Sequence, residues 1–324
     1  MRYDVVTLGE PLLRLTPPRY KPLDKADVFE VEVGGSEANT AAALAGLGLS
    51  VAYLTRLTDN PLGKLIADTL CGYGVDTHHI TWTSRDRVGT YYYEDAAPPR
   101  QPRIIYDRAG SAASKIRPSD LPEALFGFEQ ARVLHLTGIT AALSYAANGT
   151  ALHALKRAEE SNWRLSFDVN YRSRLWSPAD AQTGIEPFLR VADLAFIPLR
   201  DARLIYNQSD ATPVERVLDA LGAYYPQTVW VMTLGADGSM ARDRDGTMWR
   251  QPAYPAYTVS RIGSGDAFNA GFLAAYLNKA PLPEALRWGS ACAALKRSQP
   301  GDIARLSTAD VKRVIDAGDG DVLR

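Results

Sequence analysis

The chain has 324 residues, of which 46% are hydrophobic and 23% are charged, and this composition is ordinary for a globular enzyme with an ample core. Its formal net charge of −1 generates no field that would hold it on nucleic acid or on an anionic membrane. No run of about 18 apolar residues occurs, so nothing in the sequence predicts a membrane-spanning helix.

The start of the chain and its cysteines indicate a compartment. Residues 1–9 lack an apolar core of signal-peptide length and are typical of a first strand. Cys71 and Cys292 each lie in an apolar, helix-like setting, which favours two buried thiols over a disulfide or a metal site. We therefore expect a cytoplasmic protein.

Strand and helix patterns alternate along the chain. Short apolar runs that suit strands buried on both faces span residues 3–8, 51–56, 132–136, 165–169, 194–197 and 228–233. Helical patterns occupy residues 36–47, 61–71, 144–160, 199–206 and 213–224, and the last third adds a hairpin (239–242 with 246–250) and helices over 266–277 and 282–297. The alternation predicts an α/β fold with a mainly parallel central sheet flanked by helices, whose ligands bind beyond the carboxyl ends of the strands.

Two stretches interrupt this alternation. Strand patterns without intervening helices occur at 12–16 with 28–33 and at 88–94 with 103–107, and proline-bearing loops separate them. We expect a small β-sheet, inserted from roughly 12–33 and 86–112, that covers a site as a lid; a plain decoration of the main sheet is the alternative. The whole of residues 1–324 is then expected to form a single domain, with a surface tail after Asp316.

A glycine-rich turn near the C-terminus is the richest signal for chemistry. Gly263, Ser264 and Gly265 let the backbone curl so that successive N–H groups point into one concavity, and a helix then begins at about Asp266. The positive end of that helix faces the same point, which together makes an anion hole for a phosphoryl group in transit. Asp266 would accept a proton from an attacking hydroxyl, and its helix-end position favours the ionised form. The alternative is a glycine turn with an ordinary capping aspartate.

A second glycine pair lies near the N-terminus. Gly34 and Gly35 follow a strand pattern and open the alanine-rich helix, so a ligand can approach the main chain there. Asn39, one turn later, offers both a donor and an acceptor to a polyol. A strand–helix turn with a capping asparagine would have the same sequence.

Together these segments resemble the PfkB-type, ribokinase-like family of carbohydrate kinases. The glycine turn and Asp266 match the C-terminal signature of that family, and the N-terminal signature fits Gly34, Gly35, Asn39, Ala41, Leu44, Leu47 and Gly48. The resemblance implies a Rossmann-like ribokinase fold with a β-lid, Mg²⁺-ATP as the donor and Asp266 as the catalytic base. It also implies that the nucleotide lies along Thr233, Gly235, Ala236 and Gly238, and reaches Gly263 and Gly265.

Two positions depart from the family pattern. Ser260 stands where the family usually carries an aspartate in a region that can help to bind a monovalent cation, so we do not predict potassium dependence. The Asn-x-x-Glu element that organises Mg²⁺ in many members is replaced by Pro198 to Asp201. We expect no direct protein ligand to the metal, with phosphates and water holding Mg²⁺ and Asp201 as the one candidate.

The predicted substrate residues combine hydroxyls, amides and two arginines. Period-two alternation at the end of a strand places Asp168, Asn170 and, while the strand lasts, Arg172 on one side, where Arg172 could clamp a carboxylate. The lid region adds Tyr91 and Tyr106 with Arg108. Taken alone, each arginine could also be a surface ion pair.

This set resembles the 2-keto-3-deoxygluconate kinase branch of the family. The resemblance implies that Gly34, Tyr91, Tyr106, Arg108 and Arg172 hold the substrate, and that 2-keto-3-deoxygluconate is converted to its 6-phosphate. A fructokinase, a ribokinase or a 5-keto-2-deoxygluconate kinase is the alternative within the family, and a non-catalytic sugar sensor is a remote one. A lid with exposed edges would normally be covered, so we expect a homo-oligomer.

Overall fold

The computed structural model describes residues 2–319 and contains, within them, thirteen strands and ten α-helices in alternation. The strands are β1 Tyr3–Leu8, β2 Leu12–Thr16, β3 Glu30–Gly34, β4 Val51–Thr58, β5 Ile80–Thr83, β6 Gly89–Glu94, β7 Arg103–Asp107, β8 Ala131–Thr137, β9 Arg164–Asp168, β10 Leu194–Pro198, β11 Val229–Thr233, β12 Ser239–Arg242 and β13 Met248–Gln251. The helices are α1 Ser36–Gly46, α2 Pro61–Gly72, α3 Gly138–Leu143, α4 Tyr145–Glu160, α5 Pro178–Leu189, α6 Leu199–Ile205, α7 Val214–Tyr224, α8 Ser264–Leu277, α9 Leu282–Arg297 and α10 Thr308–Asp319.

The large sheet has the strand order β13-β12-β11-β10-β9-β8-β1-β4-β5. Its neighbours from β11 through to β5 pair in parallel, whereas β12 and β13 add an antiparallel edge. Because alternate residues of a strand face opposite sides, Val5 packs into one hydrophobic cluster and Val6 into the other. The predicted mainly parallel sheet with helices on both faces is therefore confirmed.

A second sheet of four strands, in the order β3-β2-β6-β7, stands apart from the large one. Strand β2 pairs antiparallel with β3 and parallel with β6, and β6 pairs antiparallel with β7. One face carries Arg14, Tyr91 and Tyr106 in a cross-strand row. The predicted small β-sheet is therefore present, with β3 beginning at Glu30 rather than at residue 28.

Helices α8 and α9 pack closely against each other. A Cβ atom added at Gly271 of α8 would lie 2.5 Å from Cys292 Sγ, and one added at Gly289 of α9 would lie 3.0 Å from the Phe268 backbone oxygen. These two glycines let α8 and α9 approach at backbone distance. This packing fixes the position of α8 relative to α9.

Several predicted boundaries differ from the structure for local reasons. Helix α4 begins after Ser144, because the Ser144 hydroxyl accepts a hydrogen bond from Ala147 N at 3.0 Å and caps the helix. Strand β9 ends at Asp168, since Asn170 has a φ of 40° and leaves the extended conformation. Helix α8 begins at Ser264, two residues before the predicted start, with left-handed Gly263 as its N-cap.

Other expectations were wrong or incomplete. Cys71 is exposed on α2, so of the two thiols expected to be buried only Cys292 is. The edge strand β5 and the helices α5 and α10 were not indicated by the sequence patterns. The tail expected after Asp316 continues α10 as far as Asp319, and residues 320–324 lie outside the described part of the chain. None of the helices in residues 2–319 is both long and apolar enough to cross a membrane.

Candidate active site

A cleft of about 950 Å³ lies between the carboxyl ends of the parallel strands and the inner face of the small sheet. It brings together most residues that the sequence singled out, from segments far apart in the chain. The predicted site residues among those that line it are Gly35, Asn39, Tyr91, Tyr106, Arg108, Asp168, Asn170, Arg172, Thr233, Gly263, Gly265 and Asp266. Predicted residues Gly34, Ser264, Gly235, Ala236, Gly238 and Asp201 are not part of its lining.

Asp266 lies in the first turn of α8 and faces the cleft. Ser36 Oγ donates to its Oδ1 and Asn39 Nδ2 donates to its Oδ2, both at 2.7 Å. Burial raises the pKa of Asp266 above its ordinary value, and the Asn39 and Ser36 hydrogen bonds oppose that rise. The carboxylate is thus held in place, and its acidity is weaker than the helix-end position alone would have indicated.

The turn made by Gly263, Ser264 and Gly265 presents free main-chain donors to the same cleft. Gly263 has a φ of 81°, a left-handed conformation that an L side chain rarely adopts, and a Cβ there would lie 2.0 Å from the Asp302 backbone oxygen. Among the described residues no group accepts a hydrogen bond from the N–H of Gly265 or of Asp266. The residues present therefore fit a phosphate group at this helix N-terminus.

Asp168, at the end of β9, is a second carboxylate in the cleft, and Asn170 and Ser36 link it to Asp266 through hydrogen bonds. Asn269 Nδ2 donates to its Oδ2 at 2.7 Å, and Asn170 donates to it through both its backbone and its side chain. Asn170 Nδ2 also donates to Ser36 Oγ at 2.6 Å, which links Asp168 to the Asp266 network. Burial, with a smaller effect of the Asp266 charge, raises the pKa of Asp168 to about 7.

The two predicted arginines differ in their surroundings. The guanidinium of Arg108 is paired with the buried carboxylate of Glu10, to which Arg108 Nε donates at 2.6 Å. Arg172 is exposed to the cleft, donates to the Tyr171 backbone oxygen at 3.1 Å, and forms no ion pair within residues 2–319. Arg172 is therefore the one of these two whose charge has no carboxylate partner.

Asp302 joins the small sheet to the glycine turn. Its carboxylate accepts from Arg14 Nη1 at 2.7 Å and from the Tyr91 hydroxyl, and all three side chains are buried. Gly34 is required beside it, because a Cβ there would lie 2.1 Å from Asp302 Oδ2. Gly34 therefore makes room for this junction, and the Tyr91 hydroxyl is hydrogen-bonded within it. Tyr106, in contrast, is 37% exposed at the cleft.

The predicted nucleotide residues lie at the end of β11 and in the turn after it. Thr233 pairs with Pro198 of β10, and both line the cleft. Gly235 and Gly238 have φ values of 65° and 92°, so this turn needs glycine at both positions. Gly235 and Ala236 are exposed, and Gly238 is buried against the chain that follows β13.

Asp201 does not face the cleft. It is 1% exposed in the first turn of α6, and Arg200 Nε donates to its Oδ1 at 3.1 Å. Burial raises its pKa, and Arg200 opposes the rise. Within residues 2–319 no group of three or more His, Cys, Asp or Glu side chains is arranged to hold a metal ion.

Sequence reasoning gave no role to four residues that bond the predicted ones, namely Glu10, Ser36, Asn269 and Asp302. Signals for three of them existed: Glu10 follows the end of β1, Ser36 follows Gly35, and Asn269 lies three residues after Asp266 on the same helix face. The Asp302 position follows only from the folded chain.

Comparison with known proteins shows that a chain with this fold and cleft is a kinase that acts on sugars. The model of the pfkB family of carbohydrate kinases matches residues 3–309. A 2-dehydro-3-deoxygalactonokinase of Haloferax volcanii is 37% identical over 324 residues, which is 100% of each chain. A 2-dehydro-3-deoxygluconokinase of Thermoproteus tenax is 33% identical over 301 residues, 92% of this chain and 89% of that protein.

A solved structure agrees as well. The crystal structure of a 2-dehydro-3-deoxygluconokinase from Thermotoga maritima is 29% identical and has a TM-score of 0.88 over 97% of this chain and 99% of that one. The chain belongs to the pfkB family of carbohydrate kinases. The predicted family membership, ribokinase-like fold and enzyme class are confirmed.

Proposed function

We propose that this enzyme transfers the γ-phosphate of ATP to the terminal hydroxyl of a 2-keto-3-deoxy sugar acid, 2-keto-3-deoxygluconate or its C4 epimer 2-keto-3-deoxygalactonate. The observation that favours an acid as the substrate is the position of the Arg172 guanidinium. It lines the cleft and forms no ion pair among the described residues. A planar guanidinium can hold a carboxylate through two parallel hydrogen bonds. The names of the relatives cited above support the same substrate class.

In this proposal the substrate spans the cleft between Arg172 and Asp266. Asp168 and Asn170 lie between them in one hydrogen-bonded network and offer acceptors and a donor to sugar hydroxyls. Tyr106 and Arg108 form the opposite wall, on the small sheet. Since Arg108 is neutralised by Glu10, its role is to shape this wall more than to attract the carboxylate.

Asp266 is the proposed catalytic base. Ser36 and Asn39 each donate to one of its carboxylate oxygens, which fixes the plane of the group and favours its ionised form against burial. The incoming hydroxyl would give its proton to this carboxylate as phosphoryl transfer proceeds. Because that transition state is loose, orientation of the hydroxyl matters more than base strength.

The donor nucleotide is assigned to the other half of the cleft. Its base and ribose would lie along the turn with Gly235, Ala236 and Gly238, and its phosphates would extend past Thr233 to Gly263 and Gly265. The free N–H groups of Gly265 and Asp266 would bind the transferring phosphoryl oxygens. Bound Mg²⁺ neutralises phosphate charge, and with Asp201 engaged by Arg200, phosphates and water are its proposed ligands.

The proposed acceptor is tested with a substrate panel. ATP consumption is measured with 2-keto-3-deoxygluconate, 2-keto-3-deoxygalactonate, 5-keto-2-deoxygluconate, fructose, ribose and adenosine. We expect the highest kcat/KM with one or both of the 2-keto-3-deoxy acids. A higher value with fructose, ribose or 5-keto-2-deoxygluconate would assign the enzyme to that activity instead.

Substitution of Arg172 tests carboxylate recognition itself. We expect Arg172→Ala to raise KM for the acid by at least about 10-fold, because a charge-assisted bond contributes about 1.5–3 kcal/mol. The KM for a neutral sugar that the wild-type enzyme accepts slowly should change far less. Arg216→Ala, which removes an exposed arginine of α7, is the matched control. Equal effects of Arg172→Ala on acid and neutral sugars would refute the proposed contact.

A further inference from the structure

A lysine side chain is fully buried next to the glycine turn. Lys296, in the last turn of α9, is 0% exposed, and burial of a lysine to this extent is rare unless the charge is paired. Its Nζ donates to the Gln299 backbone oxygen at 3.1 Å and forms no ion pair within residues 2–319. Two of its three N–H donors therefore lack a protein acceptor in the described part of the chain.

The end of the Lys296 side chain lies beside the glycine turn where the phosphoryl group is proposed to bind. A Cβ atom at Gly263 would be 3.3 Å from Lys296 Cε, so the end of this side chain touches the turn on which the free N–H groups lie. The carboxyl end of α9 lies at the same point and favours a cation. Lys296 thus adds a positive charge directly behind the proposed anion site.

The charged groups around Lys296 do not account for its burial. Burial lowers the pKa of Lys296 to about 8, so the side chain is mainly protonated at neutral pH. The carboxylates of Asp302, Glu32 and Asp266 oppose that shift, whereas Arg14 adds to it. Asp302 is already bonded to Arg14 and Tyr91. A buried ammonium without a direct anionic partner is unfavourable for folding, and an anion in the cleft would stabilise it.

We propose that Lys296 is the fixed cation of the phosphoryl-transfer site, which positions the glycine turn and adds positive charge to it in place of a soluble monovalent ion. This inference rests on the proposed binding of the transferring phosphate at that turn. Lys296 acts through the turn and its field, so it is a positioning residue and not a proton donor. Charge developing on the phosphoryl oxygens is stabilised most when the opposing charge is already in place.

The first experiment uses the wild-type enzyme at constant ionic strength. Turnover is measured with saturating ATP and with whichever acceptor the panel identifies, in chloride salts of tetramethylammonium, sodium, potassium and ammonium. We expect the same kcat in all four salts, because the cation is part of the chain. A rate that rises several-fold with potassium or ammonium would overturn the proposal, and this result is independent of which sugar is the substrate.

The second experiment replaces the charge and keeps the volume. Lys296→Met should lower kcat by about 10-fold or more, a smaller loss than the roughly 10²–10³-fold that follows removal of a direct oxyanion donor. The same variant should be as stable as wild type or more stable in thermal unfolding, because it removes a buried charge without a direct partner. Lys312→Met, at an exposed position of α10, is the control and should leave both quantities unchanged.

Rescue separates a charge requirement from a packing requirement. Lys296→Ala leaves space behind the turn, and added ammonium, methylammonium or potassium ions should restore part of its kcat, with no comparable gain in wild type or in Lys312→Ala. A Lys296→Met variant with wild-type kcat, or one that loses stability and activity together while Lys296→Ala shows no rescue, would overturn the proposal. If the variants do not fold, the salt series on the wild-type enzyme still tests the proposal.

Discussion

At the scale of single residues, two carboxylates share one hydrogen-bonded network with different surroundings. Asp266 receives one hydrogen bond on each oxygen, from Ser36 and Asn39. Asp168 is 6% exposed and its pKa is raised to about 7, first by burial and then by the Asp266 charge. Because two nearby carboxylates resist being ionised together, the Asp266 charge favours the protonated form of Asp168.

We expect Asp266→Asn to lower kcat by at least about 100-fold, because the amide keeps the size of the side chain but cannot take the proton of the attacking hydroxyl. Acceptor binding should change little, since Asp168 and Arg172 remain. Steady-state kinetics with the best substrate of the panel measure both parameters. Turnover close to that of wild type would exclude Asp266 as the base.

The raised pKa of Asp168 predicts how stability depends on pH. In the unfolded chain this aspartate ionises near 3.8, whereas in the folded chain it keeps its proton up to about 7. The folded state therefore binds more protons between these values, and stability declines as pH rises through this window. Asp168→Asn removes the decline, so its free energy of unfolding relative to wild type should increase from pH 4 to pH 8. The increase is at most about 4 kcal/mol, since one pKa unit corresponds to about 1.36 kcal/mol.

Denaturant unfolding of both proteins across that pH range gives the difference directly, and groups that do not interact with Asp168 cancel. A difference that stays constant with pH would contradict the raised pKa of Asp168.

At the scale of elements, Asp302 makes the small sheet and the glycine turn one mechanical unit. Its carboxylate bonds Arg14 of β2 and Tyr91 of β6, while its backbone oxygen lies against Gly263. Arg14 is 4% exposed, and its guanidinium also lies 4.3 Å from the centre of the Tyr93 ring. A movement of the small sheet over the cleft would be transmitted to the turn, and the role of this sheet as a lid remains a prediction.

We expect Asp302→Ala to lower the free energy of unfolding by about 3 kcal/mol, because it removes the carboxylate 2.7 Å from the buried Arg14 guanidinium and leaves Glu32, at 3.5 Å, as its remaining partner. Asp107→Ala in the same sheet is the matched control. It breaks an ion pair with Arg87 in which both side chains are exposed, and such pairs contribute about 0–1 kcal/mol. Thermal or denaturant unfolding measures the stability of both variants. Equal losses of stability would show that Asp302 does not stabilise the contact between the small sheet and the glycine turn.

At the scale of the whole molecule, the outer face of the small sheet carries an apolar row whose two ends are exposed. Cross-strand pairing places Val31, Leu15, Tyr92 and Ile105 in one row across β3, β2, β6 and β7. Val31 is 49% exposed and Ile105 is 46% exposed. A continuous apolar row on a sheet usually marks a surface that another chain covers. The homo-oligomer expected from the sequence remains a prediction, and this row is its expected interface.

We expect size-exclusion chromatography with light scattering to give a mass of at least twice that of one chain. Val31→Glu should reduce that mass to the monomer value, because it places a charge at the β3 end of the row. Phe128→Glu changes an apolar side chain that is 71% exposed elsewhere and serves as the control. A monomeric wild-type protein would contradict the prediction.

Local patterns in the sequence were sufficient for the fold class and for the key aspartate. Alternating apolar runs and helical segments predict a parallel sheet, because strand and helix periodicities are properties of short segments. Gly263 and Gly265 before Asp266 predict the anion turn for the same reason, since left-handed backbone and free N–H groups need glycine and a helix start nearby in sequence. The small sheet was predictable from strand patterns without helices between them.

Only the tertiary structure decided what surrounds these residues. The hydrogen bonds to Asp266 come from 230 and 227 residues away, and Asp302 reaches Arg14 across 288 residues. No local pattern indicates that Arg108 is neutralised by Glu10 while Arg172 forms no ion pair within residues 2–319. None indicates that Lys296 is buried next to Gly263. Burial, pairing and the resulting pKa values depend on which distant segments meet. The sequence by itself therefore determined the fold class and the aspartate, whereas long-range contacts decided the charges around it.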